Sequence, residues 1–581
     1  MRISYLKASI AVVATLLLGL GIAACGGGGG GSAKSGGTLK VLDTAGGIDS
    51  LDPGYWYYQS DYQMIVNTTQ RQLYGWKPDA TKPTPDLATG PPKVSNGNKT
   101  ITVTIRSGIK YSPPLQNQTV KTADIKYAME RCFLPQVGNG YANAYYGDIE
   151  GVDAFTSGKA KDISGIQTPN DTTLVINSTK PVGVLTFANG GALGMPCTIP
   201  VPKAYAQKYD QGKTSTYGQH QVFTGPYMVE NNGKGKITGY EPSKKLTLVR
   251  NPSWDKSTDF KPAYVDSIEE TCCFDATVAA RKTLEGQNYV SGDYAVPPPA
   301  VLKSALTSRK SQVQSNPSGG NRYISLNTKV KPLDDVNVRR AISAVIDRTV
   351  LRTTRGGPTV GTIATHFLPP GVAGFEEAGG TKGPGYDFTS SPTANIPLAE
   401  SYLKKAGFSS GKYSGPALLT IADNQSPAKE TAEAFQSQVA KIGIKLNFKE
   451  VPHATMLTKF CQVPKAAVAI CPNLGWGADF FAAQSFFDPL FNGANIVPSG
   501  NVNTAQVDDP QINANINKAK AITDPTANAK AWADLDKEVT NQAYFVTWLW
   551  DNDIILASTN VKAVPSKFNS GAADMVFSSL K

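Results

Sequence analysis

The chain has 581 residues, with 57 Lys+Arg against 46 Asp+Glu, a formal net charge of +11 and a hydrophobic fraction of 40%. That is too apolar for a disordered chain and long enough for two or three domains around large cores. Three His in the whole chain argue against a multi-histidine metal centre.

The N-terminus reads as a processing signal. Arg2 and Lys7 form a short basic region, and Ile10 to Ala24 is apolar or small, the length of a signal core and short for a membrane span. Ile22-Ala23-Ala24-Cys25 then resembles a bacterial lipobox. In precursors of that kind the Cys thiol carries the lipid and becomes the new N-terminus. Residues 1–24 are therefore expected to be a signal peptide, Cys25 the lipidation site, and the Gly/Ser-rich stretch 25–37 a flexible tether. This predicts an extracytoplasmic protein held to the outer face of the cell membrane by lipid. That compartment permits disulfides, and six Cys remain. Cys461 and Cys471 would close a short loop, and Cys132 with Cys197 is a second pairing. Cys272 and Cys273 would form either a vicinal disulfide or bonds to more distant Cys. With no CxxC spacing, no metal and no cofactor are expected.

Along the body, Ile101, Val103 and Ile105 alternate with Thr as in a half-buried strand. Thr122 reads as the N-cap of a helix reaching Phe133. Leu246 with Leu248, and Tyr323 with Ser325, mark further short strands. Val338, Ala341, Ile342, Val345 and Ile346 form the apolar stripe of one helix over 336–351. Pro397 opens a helix that Gly407 ends, and another runs from about Ala428 to Ile442 and stops at Gly443. Ile444, Leu446 and Phe448 then read as a strand, so this region is an α/β unit.

Catalytic patterns fail on context. Gly407-Phe408-Ser409-Ser410-Gly411 fits G-x-S-x-G, but a helix precedes it where a nucleophile elbow requires a strand. Gly212-Lys213-Thr214 lacks the first glycine of a phosphate-binding loop, since Gln207 stands there. His220, His366 and His453 sit in loop-like contexts without a recognisable partner in sequence. Asp334-Asp335 and Asp508-Asp509 read as helix caps or solvated loops. Lys and Arg are scattered, with no basic stripe interleaved with aromatics, so no nucleic-acid partner is expected.

Several segments, taken in order, resemble the peptide/nickel class (family 5) of solute-binding proteins of ABC importers. They are Gly36-Gly37-Thr38-Leu39, Leu51-Asp52-Pro53, Thr84-Pro85-Asp86-Leu87-Ala88 and Ile105-Arg106-Ser107-Gly108-Ile109-Lys110-Tyr111. The stretch from Val120 to Arg131 is close to the most diagnostic signature. Phe223-Thr224-Gly225-Pro226-Tyr227, Leu248-Val249-Arg250-Asn251-Pro252, Leu326-Asn327-Thr328 and Asp335 to Ile342 follow. Gly475-Trp476-Gly477-Ala478-Asp479 resembles the W-x-x-D segment of peptide binders.

The resemblance implies an α/β, bilobal fold of the periplasmic-binding-protein type II kind (cluster C). The first lobe would cover 38–271, with an extra subdomain at about 75–220. The second would cover 272–547, and 548–581 would return to the first. The crossings would fall near Asp266 to Cys273 and Phe545 to Trp550. The implied function is capture of oligopeptides between closing lobes and delivery to ABC permease subunits with a cytoplasmic ATPase, by a monomer that is not an enzyme. Asp479 would take the peptide's α-amino group, since a desolvated cation needs a charge-assisted hydrogen bond. Trp476, Gly477 and Ala478 would flank it. Tyr55, Trp56, Tyr57 and Tyr58 would line the cleft or pack beneath it. Phe480-Phe481, after Asp479, departs from the family pattern and leaves a nickel chelate, an oligosaccharide or another amine-bearing solute as alternative ligands. An extracytoplasmic hydrolase is the remaining reading.

Overall fold

The computed structural model describes residues 34–581 apart from 45–47, 49, 57–60, 81, 184–190, 293–295 and 567–571. The signal segment, Cys25, most of the tether, Tyr57 and Tyr58 lie outside the described residues. Two six-stranded sheets define the two lobes.

In the first lobe, Thr38–Asp43 runs parallel to Ser267–Cys272 on one side and to Tyr289–Ser291 on the other. Lys245–Arg250 and Tyr227–Val229 extend that sheet antiparallel. Leu39, Val41, Leu248, Ile268 and Val290 are fully buried in its core. The second sheet runs, in spatial order, Gly361–Ile363, Phe545–Leu556, Val313–Leu326, Ile470–Gly477, Leu418–Asp423, Leu446–Val451. Helices cover it on both sides, over two hydrophobic clusters. A four-stranded antiparallel sheet, Lys93–Ser95, Thr100–Thr104, Thr173–Asn177 and Ile166–Asn170, forms a subdomain with the Thr122–Arg131 helix. Ile101, Val103, Ile125, Met129, Leu174 and Ile176 share its core.

Most elements fall where periodicity puts them, and the differences have local causes. The Thr122–Arg131 helix takes Lys121 as its N-cap, and Asp124 accepts from the Lys121 amide at 3.0 Å. Thr122 instead donates its hydroxyl to the Asn170 carbonyl at 2.6 Å. The single helix expected over 336–351 is two, Val336–Val345 and Arg348–Arg355, because Asp347 caps the amides of Thr349 and Val350 and restarts the chain. The strand after Gly443 is Leu446–Val451, parallel to Leu418–Asp423.

Around the expected crossings the chain touches both lobes. The first sheet continues through Tyr289–Ser291, whose pairing covers the free edge of Thr38–Asp43. Cys272-Cys273 lies at the end of a first-lobe strand, and Ala280 and Leu284 of the helix that follows pack in a second-lobe cluster. On the return, Phe545–Leu556 stays paired with Val313–Leu326 to its end, and Ala557 then bridges to Val290. Val561, Met575, Val576 and Leu580 pack into the first-lobe core.

The Leu51-Asp52-Pro53 and Val120–Arg131 segments meet in space. Arg131 is fully buried, and its guanidinium holds both oxygens of Asp52, at 2.9 and 2.7 Å, and Asp210 at 2.7 Å. Burial opposes the charge on Arg131, but the Asp52 and Asp210 carboxylates overcome it and raise its pKa further. This cluster fastens the N-terminal loop of the first lobe to the subdomain.

Three pairs of sulfurs stand at bonding distance: Cys132 and Cys197 at 2.03 Å, Cys461 and Cys471 at 2.07 Å, and the adjacent Cys272 and Cys273 at 1.91 Å. No helix among the described residues is long and apolar enough to cross a membrane.

Candidate functional site

The Ile470–Gly477 strand carries the site. Alternation aims Leu474 and Trp476 at the second-lobe core, where the Trp476 indole donates to the Ser485 carbonyl at 2.8 Å. The opposite face presents Asn473, Gly475 and Gly477. A Cβ on Gly477 would meet nothing within 4 Å, so the backbone is bare there. A strand glycine of this kind lets another backbone approach closely. Beyond the strand, Ala478 packs partly against the second-lobe core, and Asp479 is half-buried.

Asp479 and Phe480 reach across to the subdomain of the first lobe. The Tyr145 hydroxyl donates to Asp479 Oδ2 in a short hydrogen bond. Phe480 is 1% exposed and belongs to the subdomain core, edge-on to Tyr145 with ring centroids 4.9 Å apart. The phenylalanine that departs from the family pattern is thus an anchor between lobes. Tyr141 and Tyr146 flank Tyr145, and burial, with a contribution from the Asp479 charge, raises both pKa values. Both phenols stay protonated beside the carboxylate at neutral pH.

A pocket with about 590 Å³ of empty space, part of it open to solvent, lies beside the same strand. Asn473, Arg322, Arg355, Asp423, His453 and Trp548 contribute to its walls. Asp551 pairs with Arg322 at 2.5 Å and with Arg355 at 3.0 Å. The Arg355 pKa falls to about 10 through burial and the neighbouring Arg322, against the pull of Asp551. Gln425, also lining the pocket, donates to the Thr44 carbonyl of the first lobe at 3.4 Å.

The other candidates separate. Trp56 is fully buried in the first-lobe core, its indole donating to the Ser50 carbonyl at 2.8 Å, so it packs beneath the cleft and does not line it. Tyr55 is half-buried, near Gly138 of the subdomain. The 223–227 turn is structural: a Cβ on Gly225 would stand 2.5 Å from the Thr69 carbonyl carbon, and the Gly225 amide donates to Thr69 at 2.7 Å.

Ser409 is exposed after the helix that Gly407 ends at φ +92°, so the elbow geometry is missing. His366 is buried between Asp536, at 2.6 Å, and the Gly380 carbonyl, at 3.0 Å. His453 pairs with Asp423 at 2.8 Å, and His220 stacks on Tyr209 at 4.1 Å. Asp335 and Asp509 cap helices. Among the described residues no three His, Cys, Asp or Glu are grouped so as to hold a metal ion. Sequence reasoning missed Tyr141, Tyr145, Arg322 and Arg355. The tyrosine-rich run 141–146 was the one visible signal for the first two.

Residues 82–497 match the model of the bacterial extracellular solute-binding proteins, family 5. The chain belongs to that family. It is 25% identical to the oligopeptide-binding protein OppA of Bacillus subtilis (strain 168) over 476 residues, 79% of each chain. It is 26% identical to the glutathione-binding protein GsiB of Escherichia coli O6:K15:H31 over 443 residues, covering 76% of this chain and 75% of that one. The solved structure of clavulanic acid biosynthesis oligopeptide binding protein 2 superposes with a TM-score of 0.78 at 25% identity, covering 94% of this chain and 96% of that one. The bilobal type II-like fold and the extracytoplasmic, solute-binding character of the family are thereby those of this chain.

Proposed function

We propose that this protein captures short peptides between its two lobes and hands them to an ABC permease driven by a cytoplasmic ATPase, without chemistry of its own. The observation that carries the reading is Asp479. It follows Gly477, where a Cβ would meet nothing within 4 Å, and it is oriented by a tyrosine of the opposite lobe. A carboxylate is an acceptor-only group, and the charge-assisted hydrogen bond an ammonium gives it is among the strongest such a site can make. An extended peptide passing over the bare backbone at Gly477 would pair through backbone groups, which tolerates many side chains. The names of the relatives, oligopeptide-binding and glutathione-binding, support a peptide ligand. In this reading Cys25 carries the lipid, and a monomer works at the outer membrane face.

The test is mass spectrometry of ligand released from protein purified from its native host, followed by calorimetry of the mature chain against peptides of two to six residues. Peptides in the released fraction and saturable binding are expected. A sugar, a bile acid or a metal chelate as the released ligand, with no peptide binding, overturns the reading.

A further inference from the structure

Away from the pocket, the subdomain touches the second lobe through a seam centred on Lys520, the last residue of the Pro510–Lys520 helix. Its ammonium lies 2.9 Å from Asp488 in its own lobe and 3.6 Å from Asp148 in the subdomain. It also donates to the Ala144 carbonyl at 3.3 Å. The Lys520 carbonyl accepts the Gly183 amide at 3.4 Å, and Asn143 donates to Asn495 at 3.3 Å. Ala144 is in the Ala142–Tyr146 helix, which also carries Tyr145, the residue on Asp479; Asp148 follows two residues beyond its end.

The charges are arranged so that the seam can part. Asp148 keeps Lys180 in its own subdomain at 2.8 Å, and Lys520 keeps Asp488 in its own lobe. Separation therefore strands neither ion without a partner, the outcome that makes breaking most buried pairs so costly. The cross-lobe contact adds a favourable increment to closure without locking it.

We propose that Lys520 is a positioning residue: by latching Asp148 and the Ala144 carbonyl it favours lobe closure, with or without ligand, and seats Tyr145 on Asp479. Its effect on peptide affinity rests on the receptor reading above; its effect on the ligand-free protein does not. A first ordering step that precedes ligand raises ligand affinity by the same coupling.

The experiment uses the full mature chain and the variants Asp148→Asn, Lys520→Met and Lys520→Arg. Small-angle scattering without ligand reads closure, and stopped-flow release of trialanine reads affinity. Asp148→Asn and Lys520→Met should enlarge the free protein's radius of gyration. Both should weaken trialanine binding about 5- to 20-fold, mainly through faster release, and Lys520→Arg should restore most of it. The double variant should lose little more than either single one. Asp148→Asn leaves Lys520 with Asp488 and decides the matter if Lys520→Met does not fold. Unchanged scattering with Asp148→Asn overturns the latch. If trialanine fails to bind the unmutated protein, the peptide reading suffers while scattering still decides the latch.

Discussion

Asp479→Asn keeps the shape of the side chain and an oxygen to accept from Tyr145, but removes the charge. If a peptide ammonium is closed against this position, the variant buries that cation without its counter-ion. Truncating one partner of such a pair costs about 2–5 kcal/mol. At about 1.4 kcal/mol per decade, that is roughly a 30- to 4,000-fold rise in Kd. Tyr145→Phe removes one hydrogen bond to a half-buried carboxylate and should cost about 1 kcal/mol, near fivefold. Calorimetry with trialanine and N-acetyltrialanine separates charge recognition from general damage. Acetylation removes the cation from the ligand, so Asp479→Asn should change N-acetyltrialanine binding by no more than about threefold while trialanine binding collapses. Equal losses for the two ligands would refute the assignment of Asp479 to the amino group.

Arg131→Met leaves Asp52 and Asp210 buried around a missing cation and should destabilise the chain by about 3–5 kcal/mol in denaturant unfolding, with Asp210→Asn in the same chain recovering part of it. Replacing Cys132 and Cys197 by Ser opens a loop of sequence separation 65 and should cost about 2–4 kcal/mol under non-reducing conditions, while non-reducing peptide mapping should recover the Cys132–Cys197 and Cys461–Cys471 pairs intact. Burial pushes the Asp574 carboxyl up to about 6, against the Val576 and Phe577 amides and Lys261. A folded pKa above the unfolded one contributes stability that is present below about pH 4 and lost as pH rises through 6, so Asp574→Asn should gain up to ~3 kcal/mol relative to the native chain across that window in pH-dependent unfolding. A pH-independent difference between the two would show that the Asp574 carboxyl titrates alike in the folded and unfolded chain and would refute the shift.

What local chemistry controls was legible in the order of the amino acids. An apolar face places the 122–131 helix, and Pro397, Gly407 and Gly443 mark the ends of the 396–405 and 428–440 helices, because a buried face and a helix terminus are both decided within a few turns. Ordered short motifs from Gly36 to Asp479 point to the family, and some of them make long-range contacts in this fold. Arg131 on Asp52, and Gly225 against Thr69, are two such contacts. The tertiary structure alone decided what depends on pairing between distant segments. Tyr289–Ser291 pairs with Thr38–Asp43, a partner that no local pattern in the sequence specifies. Trp56 leaves the cleft for the core because a four-aromatic run does not state which member faces inward. Tyr145 meets Asp479 across 334 residues of chain, and Lys520 meets Asp148 across the same seam. Their positions are set by how two separately folded lobes fit together, and that fit is a property of surfaces that no stretch of sequence carries alone.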